Sequence, residues 1–221
     1  MDHSATILHM GFVTHDVKQF ILTRPQGLEF QPGQGVEIAV DADGWKDQGR
    51  PFTPTSPVDG PVLEFHIKVY PQHDAVTEAL HVLHPGDGLL LSDAFGTITY
   101  HGPGTFIAAG AGVTPFLTIL RHIEDPGELK RCTLLFSNDT PADVIREKEL
   151  RYLLGDRCHL TCTRVTAPGY DHGRIGLSYL KEKVDQLDRP IYVCGPPGFV
   201  TDMREAVMEL GADPVHIIVE E

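Results

Sequence analysis

Thr105-Phe106-Ile107-Ala108-Ala109-Gly110-Ala111-Gly112-Val113-Thr114-Pro115 is an apolar run that halts at two glycines and restarts on a proline. Five residues without a polar alternation read as a strand covered on both faces. The glycines allow a tight turn with close backbone approach. Thr114 reads as an N-cap and Pro115 as the first position of a helix reaching Glu124. The same alternation continues downstream. Strands are expected at Cys132–Phe136, His159–Val165, Ile191–Cys194 and Val215–Val219. Helices are expected at Asp143–Leu154, Leu177–Val184 and Pro197–Leu210. Five β segments with four intervening helices imply an open, five-stranded parallel sheet with right-handed crossovers. Ligands on such sheets bind beyond the carboxyl ends of the strands.

Upstream the pattern differs. Short strands are expected at Thr6–Leu8, Gln19–Thr23, Val36–Val40, Val62–Tyr70, Leu89–Leu91 and Thr97–Tyr100, with one helix near Asp74–Leu83 and Gly/Pro turns between. Many short strands at this spacing suggest a small six-stranded antiparallel barrel. The character changes at His101-Gly102-Pro103-Gly104, which divides the chain into residues 1–101 and 102–221.

Within the first half lies Arg50-Pro51-Phe52-Thr53-Pro54-Thr55-Ser56. Two prolines hold it extended, and in a straight segment Arg50, Phe52 and Pro54 share one side. An arginine fork suits phosphate, a ring can stack, and a hydroxyl can meet a ring nitrogen. An edge strand carrying a surface arginine is the plainer alternative. The Gly110–Pro115 turn offers N–H groups to a pyrophosphate, but its G-x-G-x-x-P spacing falls short of the full dinucleotide fingerprint. Cys194-Gly195-Pro196-Pro197-Gly198 is a second strand-to-helix turn, open to reading as a rigid loop around a buried thiol.

Composition narrows the function classes. Hydrophobic residues are 41% of the 221, enough for a core, so disorder is excluded. A net charge of −13 argues against nucleic acid and against an anionic membrane surface. No apolar run is long enough to span a membrane, and the start, Met1-Asp2-His3-Ser4, does not read as a signal peptide. The four cysteines lack the tight spacing of an iron–sulfur cluster. Cys158 and Cys162 read as one strand, and a reducing, cytoplasmic setting is expected. His81 and His84 share a helix face without a third ligand, so no metal site is expected. Arg146 and Arg174 read first as solvated surface, with reach to a bound nucleotide as the alternative; Asp139 reads as solvated, and Trp45 as a local packing anchor.

Four motifs in order carry a resemblance: RPFTPTS from Arg50, His66-Ile67-Lys68-Val69-Tyr70, Gly110–Pro115, and Cys194-Gly195-Pro196-Pro197. Together, over roughly residues 5–212, the chain resembles the ferredoxin–NADP reductase superfamily, most of all its cytochrome b5 reductase branch. The resemblance implies a flavin-binding β-barrel followed by a Rossmann-like domain for a nicotinamide nucleotide. The implied cofactor is FAD, with FMN the lesser alternative. Arg50 matches the arginine on the flavin phosphate, with Pro51 beside it. Phe52 stands where a tyrosine usually stacks on the flavin, and Thr53 matches the hydroxyl at flavin N5. His66, Ile67 and Tyr70 match the strand along the ribityl and pyrophosphate, and Lys68 a lysine linked to pyridine-nucleotide binding. Thr77 matches a serine at the flavin pyrophosphate, but Asp74-Ala75-Val76 replaces its glycine-rich lead-in. Asp93-Ala94-Phe95-Gly96 likewise replaces a Gly-Pro-x-Gly turn.

The resemblance assigns Gly110, Gly112 and Thr114 to the nucleotide pyrophosphate, and Cys194, Gly195 and Pro196 to the nicotinamide pocket. Asp143 matches an acidic position that repels the 2′-phosphate of NADPH, and no Arg or Lys lies between Phe136 and Val144, so NADH is the expected substrate. The expected enzyme is an NADH-preferring FAD-dependent NAD(P)H oxidoreductase. It would pass a hydride from NADH to FAD N5, then electrons to a separate acceptor that is a protein, a small molecule or free flavin. Thr53 and Cys194 would act nearest the chemistry. The tail residues Glu220-Glu221 read as solvated, and the family's placement of a C-terminal residue near the flavin is the alternative for Val219-Glu220-Glu221. Two alternatives stay open: the reductase component of an oxygenase or other redox complex, and a flavin-binding electron-transfer or regulatory subunit that barely uses NADH.

Overall fold

The computed structural model describes residues 1–69, 75–96 and 98–220. Its first half contains β1 (His3–Phe12), β2 (Val17–Thr23), β3 (Val36–Val40), β4 (Arg50–Phe52), β5 (Val62–Lys68), α1 (Ala75–His81) and β6 (Gly88–Leu91). The strands form one antiparallel sheet in the order β4-β3-β6-β1-β2-β5. Its two ends approach each other, because the Thr55 backbone N–H donates to the Glu64 carbonyl at 2.7 Å. The sheet is thereby a nearly closed barrel. Alternation fills its interior: Leu63, Phe65 and Ile67 of β5 meet Phe20 and Leu22 of β2 and Ile38 of β3, each at most 1% exposed. The opposite face of β5 carries Glu64 and His66, and it is covered by the second half.

The strand expected at Thr97–Tyr100 does not form across the described residues Ile98–Tyr100; Thr97 lies outside them. Ile98 and Tyr100 pack into the core of the second half instead. The Tyr100 hydroxyl donates to Glu128 at 2.7 Å. Apolar burial across the two halves outweighs a further ladder in the barrel.

The second half runs β7 (Thr105–Ala109), α2 (Thr114–His122), α3 (Pro126–Leu129), β8 (Thr133–Asn138), α4 (Glu147–Leu154), β9 (Cys158–Cys162), β10 (Asp171–His172), α5 (Leu177–Lys183), β11 (Ile191–Cys194), α6 (Pro197–Glu209) and β12 (Ile217–Val219). All pairs are parallel, in the order β10-β9-β8-β7-β11-β12. The five expected strands are present. The sixth, β10, is a two-residue edge strand, too short to leave a periodic signal. Strand order reverses at β7, which puts the crevice for a ligand at the carboxyl ends of β7 and β11.

Two expected helix starts differ. Gly110–Val113 forms a 3-10 turn ahead of α2, so Val113 rather than Thr114 caps the helix. Thr114 directs both its backbone N–H and its hydroxyl to the Ala111 carbonyl. The segment from Asp143 is not one helix. Pro141–Asp143 is a 3-10 turn closed by a capping box with Thr140, and α4 begins only after Arg146, whose φ is 54°.

The halves meet along α2. The Thr118 hydroxyl donates to the Pro54 carbonyl at 2.6 Å, and Arg121 donates to the Thr55 carbonyl at 2.5 Å. Val17 of the barrel joins the same buried cluster as Phe116 and Leu117 of α2. The connecting segment is fastened by Tyr192, whose hydroxyl donates to the Gly102 carbonyl at 2.7 Å and accepts from the His101 N–H at 2.9 Å.

Candidate active site

A cleft of about 730 Å³ opens between the barrel and the carboxyl ends of the parallel strands. Pro51, Phe52, Thr53, His66 and Lys68 line one side, and Gly110, Gly112, Thr114, Asp143, Cys194, Gly195 and Pro196 the other. These twelve expected residues, distant in sequence, converge on one space. The other three described ones lie elsewhere. Arg50 is exposed on β4, its guanidinium donating to the Gly49 carbonyl at 3.0 Å. The Ile67 side chain belongs to the barrel core, and Thr77 is buried in α1. Tyr70 lies outside the described residues.

The proline segment is not straight. β4 ends at Phe52, and three consecutive residues, Pro51 to Thr53, face the cleft. The next two residues are gripped: the Pro54 carbonyl by Thr118, and Thr55 by Arg121 and Glu64. Thr53 is thus presented by a backbone that both halves hold.

On the opposite wall, Gly110 has φ 53°, a conformation open to glycine at no steric cost. A Cβ on Gly112 would lie 2.5 Å from the Cys194 carbonyl oxygen. The glycine turn and the Cys194 loop are therefore in backbone contact. The register Val193↔Val219 carries Glu220 alongside Cys194, and the Cys194 thiol donates to Glu220 Oε2 at 3.2 Å. Burial, then the Glu220 charge, pushes the thiol well above its ordinary range. It stays protonated at neutral pH and is no nucleophile. Glu220, read from sequence as solvated with a place near the flavin as the alternative, is carried to this pocket by parallel pairing of β12 with β11.

Lys68 pairs with Asp16 at 2.9 Å. Burial pushes the Asp16 carboxyl up, but the Lys68 and Thr14 bonds outweigh it and hold it below the usual range. Exposed His15 stands 3.7 Å from both Asp16 and Asp143. Asp143 Oδ2 accepts from the Thr140 N–H and hydroxyl at 2.8 and 2.6 Å. Asp139 also lines the cleft, paired with Arg164 at 3.0 Å rather than simply solvated.

Behind the cleft lies a charged network that the sequence did not reveal. Glu64 accepts from Arg121 at 2.5 Å, Thr55 at 2.8 Å and Arg146 at 3.2 Å. Arg121 also forms a bidentate pair with Glu149 at 2.6 and 2.8 Å. Burial raises the Glu64 carboxyl, yet Arg121 overrides it and holds it at about 2. Burial depresses the His66 imidazole to about 4, helped by Arg146 and Arg121 and opposed by Glu64. Arg146, expected at the surface, donates from Nε to His66 Nε2 at 2.9 Å.

An antiparallel barrel set against a parallel sheet, with one cleft at the switch point, defines a two-domain nucleotide-binding architecture. The sequence signature described as the oxidoreductase NAD-binding domain matches residues 106–205. Human NADH-cytochrome b5 reductase 2 is 28% identical over 229 residues, covering 85% of this chain and 83% of that protein. The Pseudomonas putida ferredoxin–NAD(P)(+) reductase component of a naphthalene 1,2-dioxygenase system is 25% identical, covering 96% of this chain. The chain spans 66% of that relative's length. A Neisseria gonorrhoeae ferredoxin NADP+ reductase with bound FAD and NADP has the same fold, with TM-score 0.85 at 20% identity over 98% of this chain and 97% of that one. The chain belongs to the ferredoxin–NADP reductase superfamily, with relatives of the cytochrome b5 reductase kind.

Proposed function

We propose that the protein is an FAD-dependent NAD(P)H oxidoreductase that prefers NADH and passes electrons to a separate acceptor. The observation that carries this reading is the convergence of Phe52 and Thr53 with the Gly110–Gly112 turn and Cys194 on one cleft. The cleft suits the cofactor. The half-buried Phe52 offers a ring face at its wall. A Cβ on Gly110 would meet nothing within 4 Å, so the turn leaves room for a ligand. Asn138 lines the cleft, and its Oδ1 is buried without a hydrogen-bond partner among the described residues, an acceptor that a ligand donor would satisfy.

The bound flavin supplies the chemistry of taking two electrons from NADH and releasing them onward. Thr53 presents its hydroxyl to the ring edge. Arg50, two residues from Phe52, takes the phosphate end. Gly110 and Gly112 let the backbone approach the nucleotide pyrophosphate, and the protonated Cys194 shapes the nicotinamide pocket. Asp143, Asp139 and Glu220 face Lys68 across the cleft, a charge balance that repels a 2′-phosphate. Relatives that serve cytochrome b5 and oxygenase systems support a protein acceptor, including the role of reductase component in a larger redox assembly. The two halves at residues 1–101 and 102–221 divide the work between flavin and nucleotide.

We further assign the protein to the cytoplasm. Its four cysteines are free and buried, which suits a reducing compartment. Among the described residues no helix is long and apolar enough to cross a membrane.

The test is anaerobic. Protein is incubated with FAD, desalted, and titrated separately with NADH and NADPH while the visible spectrum is followed. Retained yellow colour, bleached faster by NADH, is the expected outcome. Protein that retains neither FAD nor FMN would overturn the reading. A flavoprotein that neither nucleotide reduces would shift it to an electron-transfer subunit.

A further inference from the structure

Among the described residues Arg146 is the one non-glycine with a positive φ, at 54°. A Cβ-bearing residue holds that conformation only where its surroundings fix it. Its side chain crosses from the second half to β5, where Nε donates to His66 Nε2 at 2.9 Å and Nη2 donates to Glu64 Oε2 at 3.2 Å. We propose that Arg146 is a positioning residue that selects the tautomer of His66 and, through it, orients Thr55 and the cleft wall formed by Phe52 and Thr53.

The argument is one of donors and acceptors. A guanidinium can only donate, so His66 Nε2 must accept and the ring proton must sit on Nδ1. Nδ1 lies 3.0 Å from Thr55 Oγ1, so it donates there. The Thr55 hydroxyl, having accepted, directs its own proton to Glu64 Oε1 at 2.8 Å. Glu64 in turn accepts from Arg146, which closes the circuit. Every bond then has a fixed direction, imposed by the one member that cannot reverse. Reversing the His66 tautomer would set two N–H groups against each other at Arg146, turn the Thr55 bond around and draw the hydroxyl proton away from Glu64. Thr55 is two residues from Thr53 and closes the barrel against Glu64, so its orientation reaches the cleft directly. His66 itself lines the cleft. The charged groups acting on its ring are Glu64 on β5, Arg121 on α2, Arg146 ahead of α4 and Glu149 within α4.

The consequence for the cofactor rests on the flavin reading above; the tautomer does not. The experiment compares wild type with Arg146→Gly, which removes the side chain where the backbone conformation already suits glycine. Imidazole nitrogens of 15N-labelled protein are followed from pH 5 to 8, with and without added FAD. The His66 signals are assigned by their loss in His66→Gln. Wild-type His66 is expected to carry its proton on Nδ1 and not to titrate in this range. In Arg146→Gly its midpoint should rise by about one unit or more as the fixed positive neighbour is lost. FAD affinity, from equilibrium dialysis, should fall by about tenfold, and in the His66→Gln background Arg146→Gly should add less than twofold. A wild-type proton on Nε2 would overturn the inference without any variant. So would an Arg146→Gly protein with wild-type tautomer, titration and FAD affinity. If FAD binds neither protein, the functional reading fails while the flavin-free spectra still decide the tautomer.

Discussion

Replacing Glu64 by glutamine isolates the network that joins the two halves. Glutamine matches the shape of glutamate but turns one acceptor oxygen into a donor, facing Arg121 and Arg146, which can only donate. The carboxylate titrates at about 2 in the folded chain against an ordinary 4.5. At 1.36 kcal/mol per unit, that separation corresponds to about 3 kcal/mol of folded-state stabilisation at pH 7. Because the folded value lies below the unfolded one, this contribution is complete above pH 4.5 and is lost as pH falls toward 2; about three fifths of it should be gone by pH 3. His66, folded value about 4 against 6.5, also withdraws stability on acidification, in the higher window from 6.5 down to 4. It does so in both proteins, but in Glu64→Gln the depression is deeper, because the carboxylate that opposes it is gone. The assay is urea denaturation followed by far-UV circular dichroism at pH 7, 5, 4 and 3. Glu64→Gln should be about 3 kcal/mol less stable at pH 7, with Tm lower by roughly 6–12 °C for a chain this long. The gap should close toward pH 3. A pH-independent gap, or one under about 1 kcal/mol at pH 7, would mean that solvent screens the network as it does an exposed pair.

Asp143→Asn keeps an acceptor for Thr140 but removes the charge; the NADPH-to-NADH ratio of kcat/KM should rise about tenfold, close to 1.4 kcal/mol. Gly112→Ala drives a Cβ to 2.5 Å from the Cys194 carbonyl oxygen. It should cost about 1–3 kcal/mol and raise KM for NADH while flavin content holds, as thermal melts and steady-state kinetics will report. Tyr192→Phe leaves the His101 N–H and Gly102 carbonyl without their partner. A loss of about 1–3 kcal/mol is expected in denaturant titration, with the visible flavin spectrum unchanged.

The parts of the site that sequence disclosed are those where backbone chemistry leaves a local mark. Gly110, Gly112 and the prolines after Cys194 interrupt apolar strands, and those interruptions are the turns that line the cleft. Strands β7 and β11 announced themselves because both faces are buried, so no polar residue breaks the run. Arg146 was misread because its partners, His66 and Glu64, lie 80 and 82 residues away; nothing in its own neighbourhood separates it from a solvated arginine. A signal existed on the other side. β5 places Glu64 and His66 on the face opposite its core, and such residues read as solvent-facing until another layer is known to cover them. β10 was invisible because two residues cannot show a period. Tyr100 looked like strand because an aromatic next to a β-branched residue suits a sheet, while its true partners lie in the second half.

The buried cluster around α2 takes Val17 and Ile98 from the N-terminal side of the linker. The apolar interior of the C-terminal half is therefore completed by residues synthesised before it. Expressed alone from residue 102, that half would expose the surface these two side chains cover, together with Arg121 stripped of Glu64. The two units differ in architecture but share a buried cluster, so the C-terminal one is expected to need the barrel in order to fold. A gene cut at the glycines of the linker should yield a C-terminal fragment that aggregates, and supplying the barrel in trans should restore its solubility.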